Sequence, residues 1–265
     1  MGDGNGEREG RGPLLSLLNG IKVLEAFTIA EPVLGVNEIA RRVQLHKSTV
    51  SRILGTLEQV QLVERDEQTS RFRLGLGVIG LAGPLLAHLD VRRIAYAELQ
   101  ELVSLTAETA ALAVWSDHQS VIIDQVSSPR LVKHTTPLGA RFNKASSASV
   151  QVFLAQSPMS VAQRLRRDGA IEVGPATSDD DLIEQLAAVR ERGYAVNDGA
   201  TDPEELSIAA PVFDHRQEVV AAILLSAPRA RATEFLVNDW TKRVIATAET
   251  VSARLGAHQL PPRRD

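Results

Sequence analysis

The segment VNEIARRVQLHKSTVSRILGTLE, residues 36–58, constrains this chain more than any other. Val36, Ile39, Ala40 and Val43 fall on one face of a helix. Val50, Ile53, Leu54 and Leu57 repeat the i, i+3, i+4, i+7 pattern on a second. Ala40 stands ten residues before Val50 and thirteen before Ile53. A small residue there lets two helix axes approach while branched side chains fill the other side, so the spacing predicts a helix-turn-helix. The turn carries Gln44 where glycine is usual, so Gln44 is expected to accept positive φ at some cost.

The flanks extend this unit. In SLLNGIKVLEAF, Leu17, Leu18, Ile21, Leu24 and Phe27 have helical spacing, and Ser16 is a candidate cap. Pro32 and Gly35 break that helix. In LVERDEQTSRFRLG, two short β-type runs flank the polar DEQTS. Three helices followed by a hairpin is the order of a winged helix-turn-helix, assigned to residues 14–75.

Charge sharpens the reading. The chain carries a net charge of −4, yet from Arg41 to Arg73 seven basic residues face four acids, a local balance of +3. Such a patch suits a protein that approaches phosphate with one end only. Lys47, Ser48, Thr49, Ser51, Arg52 and Thr56 lie off the apolar stripe of the second motif helix. Short hydroxyls and long cations near a helix N-terminus reach phosphates and major-groove base edges. Arg71 and Arg73 alternate with Phe72 and Leu74, which should project both arginines from the open face of the wing. Any one of these side chains alone is equally well explained as part of a solvated face. Together they predict binding to double-stranded DNA.

The rest of the chain reads as a second domain. Residues 76–90 form a linker helix interrupted at Gly83-Pro84, and residues 91–255 alternate strands and amphipathic helices. AALAVWSDHQSVIIDQV is two strands around Asp117-His118-Gln119. KHTTPLGARFNKASSASVQVFLA is a strand, a loop and a helix from about Ser146. DDDLIEQLAAVRERGYAV is a helix stopped at Gly193 and then a strand, ELSIAAPVFDHRQEVVAAILLSAP is a hairpin, and the last helix spans TEFLVNDWTKRVIATAETVSARLG. The order predicts an α+β domain with an antiparallel sheet. Residues 1–13 and 256–265 are expected to be disordered tails.

Enzymatic chemistry finds little support. The absence of cysteine removes disulfides, Cys-zinc sites and Cys nucleophiles. The histidines at 46, 88, 118, 134, 215 and 258 form no HExxH pair, and no GxSxG, GxGxxG or GxxxxGK[ST] occurs. The serines of ASSAS (145–149) have no local base, and Asp179-Asp180-Asp181 reads as a helix cap rather than a metal site. No cofactor, metal or catalytic residue is expected. No apolar run of about 18 residues predicts a membrane span, and the cytoplasm is the default location.

LNGIKVLEAF, the motif segment, LVERDEQTSRFRLG, LAAVRERGYAVNDG and IAAPVFD together resemble the IclR family of bacterial transcription regulators, from about residue 16 to residue 254. The resemblance implies an operator-binding winged helix, a linker helix and a C-terminal α+β domain that senses a small organic effector, an organic acid or an aromatic. It implies a homo-oligomer, dimer or tetramer. It places Thr136, Gly139, Ala140, Asn197, Asp198 and Ser207 around the effector. Family members often carry His where Ala145 stands, Gly-Lys where Val150-Gln151 stands and Cys where Ser207 stands, so this pocket should be less polar and less charged along one helix. Two alternatives stay open: a sensor domain that serves only assembly, and an enzyme whose winged helix only oligomerises it.

Overall fold

Gln44 adopts φ 55° in the turn of the motif, the left-handed conformation expected there. In the computed structural model, which describes residues 14–28, 30–88 and 90–257, it joins α2 (Val36–Val43) to α3 (Lys47–Gln59). Helix α1 (Leu15–Glu25) precedes them, and strands β1 (Val63–Arg65) and β2 (Phe72–Leu74) form an antiparallel wing. Val23, Ala26, Phe27, Ile39, Ala40, Val50, Leu54, Val63 and Phe72 are buried in one core, with Val36, Val43, Ile53 and Leu57 packed against it.

Two expectations for α1 are corrected. Ser16 does not cap it: the helix starts at Leu15, after Leu14, without a side-chain cap. The anticipated apolar stripe is buried only toward its C-terminal end: Leu17, Leu18 and Ile21 are 63%, 40% and 45% exposed, whereas Phe27 fills the core beside Val23 and Ala26, and Leu24 packs against it. The helix has two apolar faces, and α2 and α3 cover the one near its C-terminus.

Helix α4 (Gly77–His88) runs through Gly83-Pro84 without the anticipated interruption. Proline lacks the N–H for one helical hydrogen bond, yet the helix continues past it to His88. The chain divides into two compact units, Met1–His88 and Leu89–Asp265. Of the tails expected at 1–13 and 256–265, Gly256 and Ala257 donate to the Ala253 and Ser252 carbonyls at 3.0 Å each, and the rest lie outside the described residues.

In the second unit, β3 (Thr109–Ser116), β4 (Gln119–Val126), β5 (Arg141–Phe142), β6 (Ala195–Asp198), β7 (Glu205–Phe213) and β8 (Val219–Pro228) form one antiparallel sheet ordered β5-β4-β3-β8-β7-β6. Asp117 and His118, with φ 48° and 64°, make the tight turn between β3 and β4. Alternation along the strands divides the core. Ala111, Ala113, Ile122, Ala209, Ala222 and Leu224 pack beneath α6 (Ala148–Gln156), α7 (Met159–Arg167) and α8 (Asp179–Arg192). Leu112, Leu206, Ile208, Ile223 and Leu225 pack beneath α5 (Asp90–Thr106) and α9 (Glu234–Arg254). Gly193 ends α8 in the left-handed conformation.

Three local readings change. No strand precedes the Pro137 loop, where residues 133–140 are irregular and only β5 follows. Helix α6 begins at Ala148, after Ser147, rather than near Ser146. Helix α7 was not anticipated; it buries only Ala162 and Leu165, too few apolar positions to stand out as a repeat.

Candidate functional site

Helix α3 sets out its polar face as the sequence suggests. Val50 and Leu54 are buried, while Lys47, Ser48, Thr49, Ser51, Arg52 and Thr56 are all exposed. His46 caps the helix: Nδ1 accepts from Ser48 N–H at 3.3 Å and meets Ser48 Oγ at 2.8 Å. Thr56 Oγ1 donates back to the Arg52 carbonyl at 3.1 Å. The Lys47 and Arg52 side chains have no hydrogen-bond or ion-pair partner among the described residues.

The remaining positive charge is partly committed. Arg42 pairs with Glu31, Arg71 with Glu38 and Arg73 with Glu64. Both wing arginines are therefore paired, and Arg71 departs from the expected open projection. Arg71 is half-buried, and its Nη2 donates to Glu38 Oε2 at 2.6 Å and to the Val33 carbonyl at 3.2 Å. It ties the wing to the start of α2. Arg73 is exposed but lies across from Glu64 in the strand pair, Nη2 to Oε2 2.8 Å. The alternation also ends at Leu74, which is 42% exposed. Arg65 reaches Ser70 Oγ at 3.1 Å and lies over the Phe72 ring. Of the seven basic residues, only Arg41, Lys47 and Arg52 have side chains without a hydrogen bond or close ion pair among the described residues, and Arg41 acts on Glu38 at longer range.

Glu38 organises this corner. Its Oε2 accepts the Gly35 N–H at 2.7 Å, capping α2, as well as the Arg71 guanidinium. The Gly35 hydrogen bond first, and then Arg71, hold its carboxyl below the ordinary glutamate range. At the wing tip, Asp66 Oδ1 accepts from Thr69 N–H at 2.8 Å and Gln68 N–H at 2.9 Å, with Thr69 the leading cause of its lowered pKa. The wing loop is thus built from its own polar groups.

The second unit contains an enclosed cavity on the α6 side of the sheet. It has about 30 Å³ of space that water can occupy. Its walls are Thr109 and Ala111 of β3, Ile122 of β4, Glu205 and Ser207 of β7, Leu224 and Ser226 of β8, Ser147 and Ser149 at the start of α6, and Gln125, Thr136, Phe142 and Thr201. Of the six positions expected around an effector, Thr136 and Ser207 line it. Asn197 is buried one shell away: Nδ2 donates to Thr201 Oγ1 and, at 3.4 Å, to Ser207 Oγ, while Oδ1 accepts from Ala200 and Thr201 N–H. Gly139 has φ 80° and donates its N–H to the Ile122 carbonyl at 2.8 Å, and the Ala140 carbonyl accepts from Ile122 N–H. Both brace the loop without lining the cavity. Asp198 points to the surface and pairs with Arg229 at 2.6 Å.

The sequence reading missed Glu205, Ser226, Ser147 and Ser149. Glu205 was within reach, because it stands two residues before Ser207 on the same strand face. The serines of α6 carried no signal, since only the packing of α6 on the sheet turns them inward. Among the described residues no group of three or more His, Asp or Glu could hold a metal ion, and no helix is long and apolar enough to cross a membrane.

Comparison with known proteins places both units. Residues 16–67 match the family model of the IclR helix-turn-helix domain, and residues 84–253 match that of the bacterial transcriptional regulator IclR C-terminal domain. The transcriptional repressor IclR of Escherichia coli (strain K12) is 31% identical over 250 residues, covering 92% of this chain and 91% of that protein. The solved IclR transcriptional regulator of Alicyclobacillus acidocaldarius is similar at TM-score 0.76 and 27% identity, covering 91% of this chain and 99% of its own. An IclR homologue from Microbacterium hydrocarbonoxydans, complexed with 4-hydroxybenzoate, is similar at TM-score 0.78 and 23% identity, covering 91% of this chain and 98% of its own.

Proposed function

The chain belongs to the IclR family of bacterial transcriptional regulators, and from that premise we propose that it grips a pseudo-palindromic operator as a dimer or tetramer and is switched by a small organic effector held in the cavity of its second unit. It is a ligand-responsive, DNA-binding regulator rather than an enzyme, as its relatives are named transcriptional repressors and regulators.

The carrying observation is the exposed face of α3, where Lys47 and Arg52 stand unpaired while other cations of the patch are neutralised by neighbouring acids. Unpaired cations beside short hydroxyls are free to exchange water for phosphate and base edges. Ser48, Thr49, Ser51 and Thr56 frame them, and Arg71 and Arg73 extend the surface along the wing. Residues 14–75 are read as the DNA-binding domain, 76–90 as the linker and 91–255 as the effector and assembly domain.

Oligomerisation is supported by what the first unit leaves uncovered. Leu17, Leu18 and Ile21 of α1 and Ile79 and Leu81 of α4 are exposed. Leu17, Ile21 and Leu81 line one groove of the unit, and apolar surface of this kind favours association over solvation. A two-fold dimer would set two copies of α3 roughly 34 Å apart, or a multiple of that, along the duplex.

The effector is assigned to the cavity because its polar groups converge from β7, β8 and the start of α6. The relative bound to 4-hydroxybenzoate supports a small organic molecule as the class. The cavity's small volume favours a second reading, a sensor domain retained for assembly alone, since a site of about 30 Å³ holds two or three waters at about 10–15 Å³ each. Selection of bound duplexes from a random DNA pool, with and without a metabolite library, separates the readings. A repeated half-site whose occupancy changes with a metabolite is expected. Unrepeated half-sites would refute the symmetric operator, and occupancy that no metabolite changes would leave the assembly reading.

A further inference from the structure

We propose that the effector of this cavity is neutral or cationic and presents an N–H or O–H donor to Glu205, so that simple carboxylates are rejected. The inference rests on the effector reading above and narrows its chemistry.

Glu205 is the one charged residue in the cavity wall among the described residues. Its side chain is 14% exposed. Oε1 accepts from Ser226 Oγ at 3.1 Å. The His134 Nε2 ring nitrogen stands 3.7 Å from Oε2, beyond hydrogen-bond reach. One carboxylate oxygen is therefore short of a donor in a largely dehydrated site, which is costly for an anion.

No Lys, Arg or His lines the cavity to balance a second negative charge. Nearby arginines are spent elsewhere: Arg229 on Asp198, and Arg231 and Arg130 on the buried carboxylate of Glu108. An organic acid entering here would lose its hydration and meet a like charge without a counter-ion. An amine, amide or alcohol would supply the donor that Oε2 lacks. The helical wall suits the ligand's acceptor atoms. Ser147 leaves the first turn of α6 without a side-chain cap, and the partial positive charge there, roughly half an elementary charge, suits a neutral acceptor atom but does not balance a full carboxylate beside Glu205. Ser207, Thr136 and Thr201 can donate or accept, so they do not select by charge.

The test uses the full-length protein with two matched probe sets: glycolate, glycolamide and ethanolamine, then 4-hydroxybenzoate, 4-hydroxybenzamide and tyramine. Each is titrated by thermal shift and calorimetry against wild type, Glu205→Gln and Glu205→Asp, alongside a metabolite panel sorted by charge. In wild type the amide or amine should bind at least about tenfold tighter than its acid, equivalent to about 1.4 kcal/mol. Glu205→Gln should erase or reverse that order. Glu205→Asp keeps the charge and should keep the order, which preserves the test should the Gln variant melt early. An acid that binds wild type as tightly as its amide or amine, or an order unchanged in Glu205→Gln, overturns this inference alone. If no probe and no panel member binds a protein that still binds its selected operator, the effector reading falls and the inference with it.

Discussion

Replacing Gly75 by alanine should open the winged-helix unit, and the reason is a single close approach. A Cβ built on Gly75 would lie 2.3 Å from the Gln61 carbonyl oxygen, 3.0 Å from its carbon and 3.2 Å from the Val63 carbonyl carbon. Those atoms are backbone, with no flexible end to swing aside. Gln61 already holds φ 58°, and its carbonyl accepts the Gly77 N–H at 3.0 Å, while Gly75 N–H donates to Leu62 O at 2.9 Å. The carbonyl must retreat by about 0.7 Å before the new carbon stands even 3.0 Å away, an overpacking strain in the range of about 1–3 kcal/mol. The retreat strains one or both hydrogen bonds, worth about 1 kcal/mol each. A loss of about 2–3 kcal/mol should speed exchange of the α3 core amides roughly 30- to 150-fold by hydrogen–deuterium exchange of the full chain. Gly55→Ala is the control. Its Cβ meets nothing within 4 Å on α3, so it should gain about 0.5–1 kcal/mol from helix propensity and slow the same amides roughly two- to fivefold. Wild-type exchange in Gly75→Ala, or faster exchange in Gly55→Ala, would refute the reasoning.

Lys47→Ala and Arg52→Ala should each weaken operator binding, by about 1–3 kcal/mol where the side chain reads a base; where it meets phosphate, the salt slope should fall by about one unit and all sequences weaken alike. Wild-type affinity in both variants, measured by fluorescence anisotropy, would remove α3 from the interface. The Glu38 tie between α2 and the wing should respond to acid in a defined direction. Its folded carboxyl pKa is depressed by the Gly35 N–H and then Arg71, so its contribution is present above the ordinary glutamate value and lost as pH falls through the lower folded value; a Glu38→Gln melting curve that still tracks wild type across neutral pH would contradict this. Residues 91–255 should fold and self-associate without the winged helix, because the sheet and both of its helical layers lie within them. An unfolded or monomeric fragment in circular dichroism and sedimentation would reject that boundary.

Much of this protein is written locally. The spacing of Ala40, Val50 and Ile53 determined how α2 meets α3, because helical periodicity alone sets which side chains share a face. The strain at Gln44, the stop at Gly193 and the tight turn at Asp117-His118 follow from backbone rules that act within a few residues. The opposed faces of β7, with Ser207 and Ala209 on one and Leu206 and Ile208 on the other, follow from the two-residue period of a strand. What the sequence could not decide is which of several compatible surfaces finds a partner. Helix α1 has two apolar faces, and only the packing of α2 and α3 chose Val23, Ala26 and Phe27 for the core and left Leu17, Leu18 and Ile21 outside. Arg71 reads as a free wing cation until Glu38, thirty-three residues earlier, is brought beside it. Glu205 reads as a strand-end charge until β8 and the first turn of α6 close over it with Ser226, Ser147 and Ser149. These outcomes depend on contacts between distant segments, and side-chain chemistry specifies such contacts only once the backbone has been folded around them.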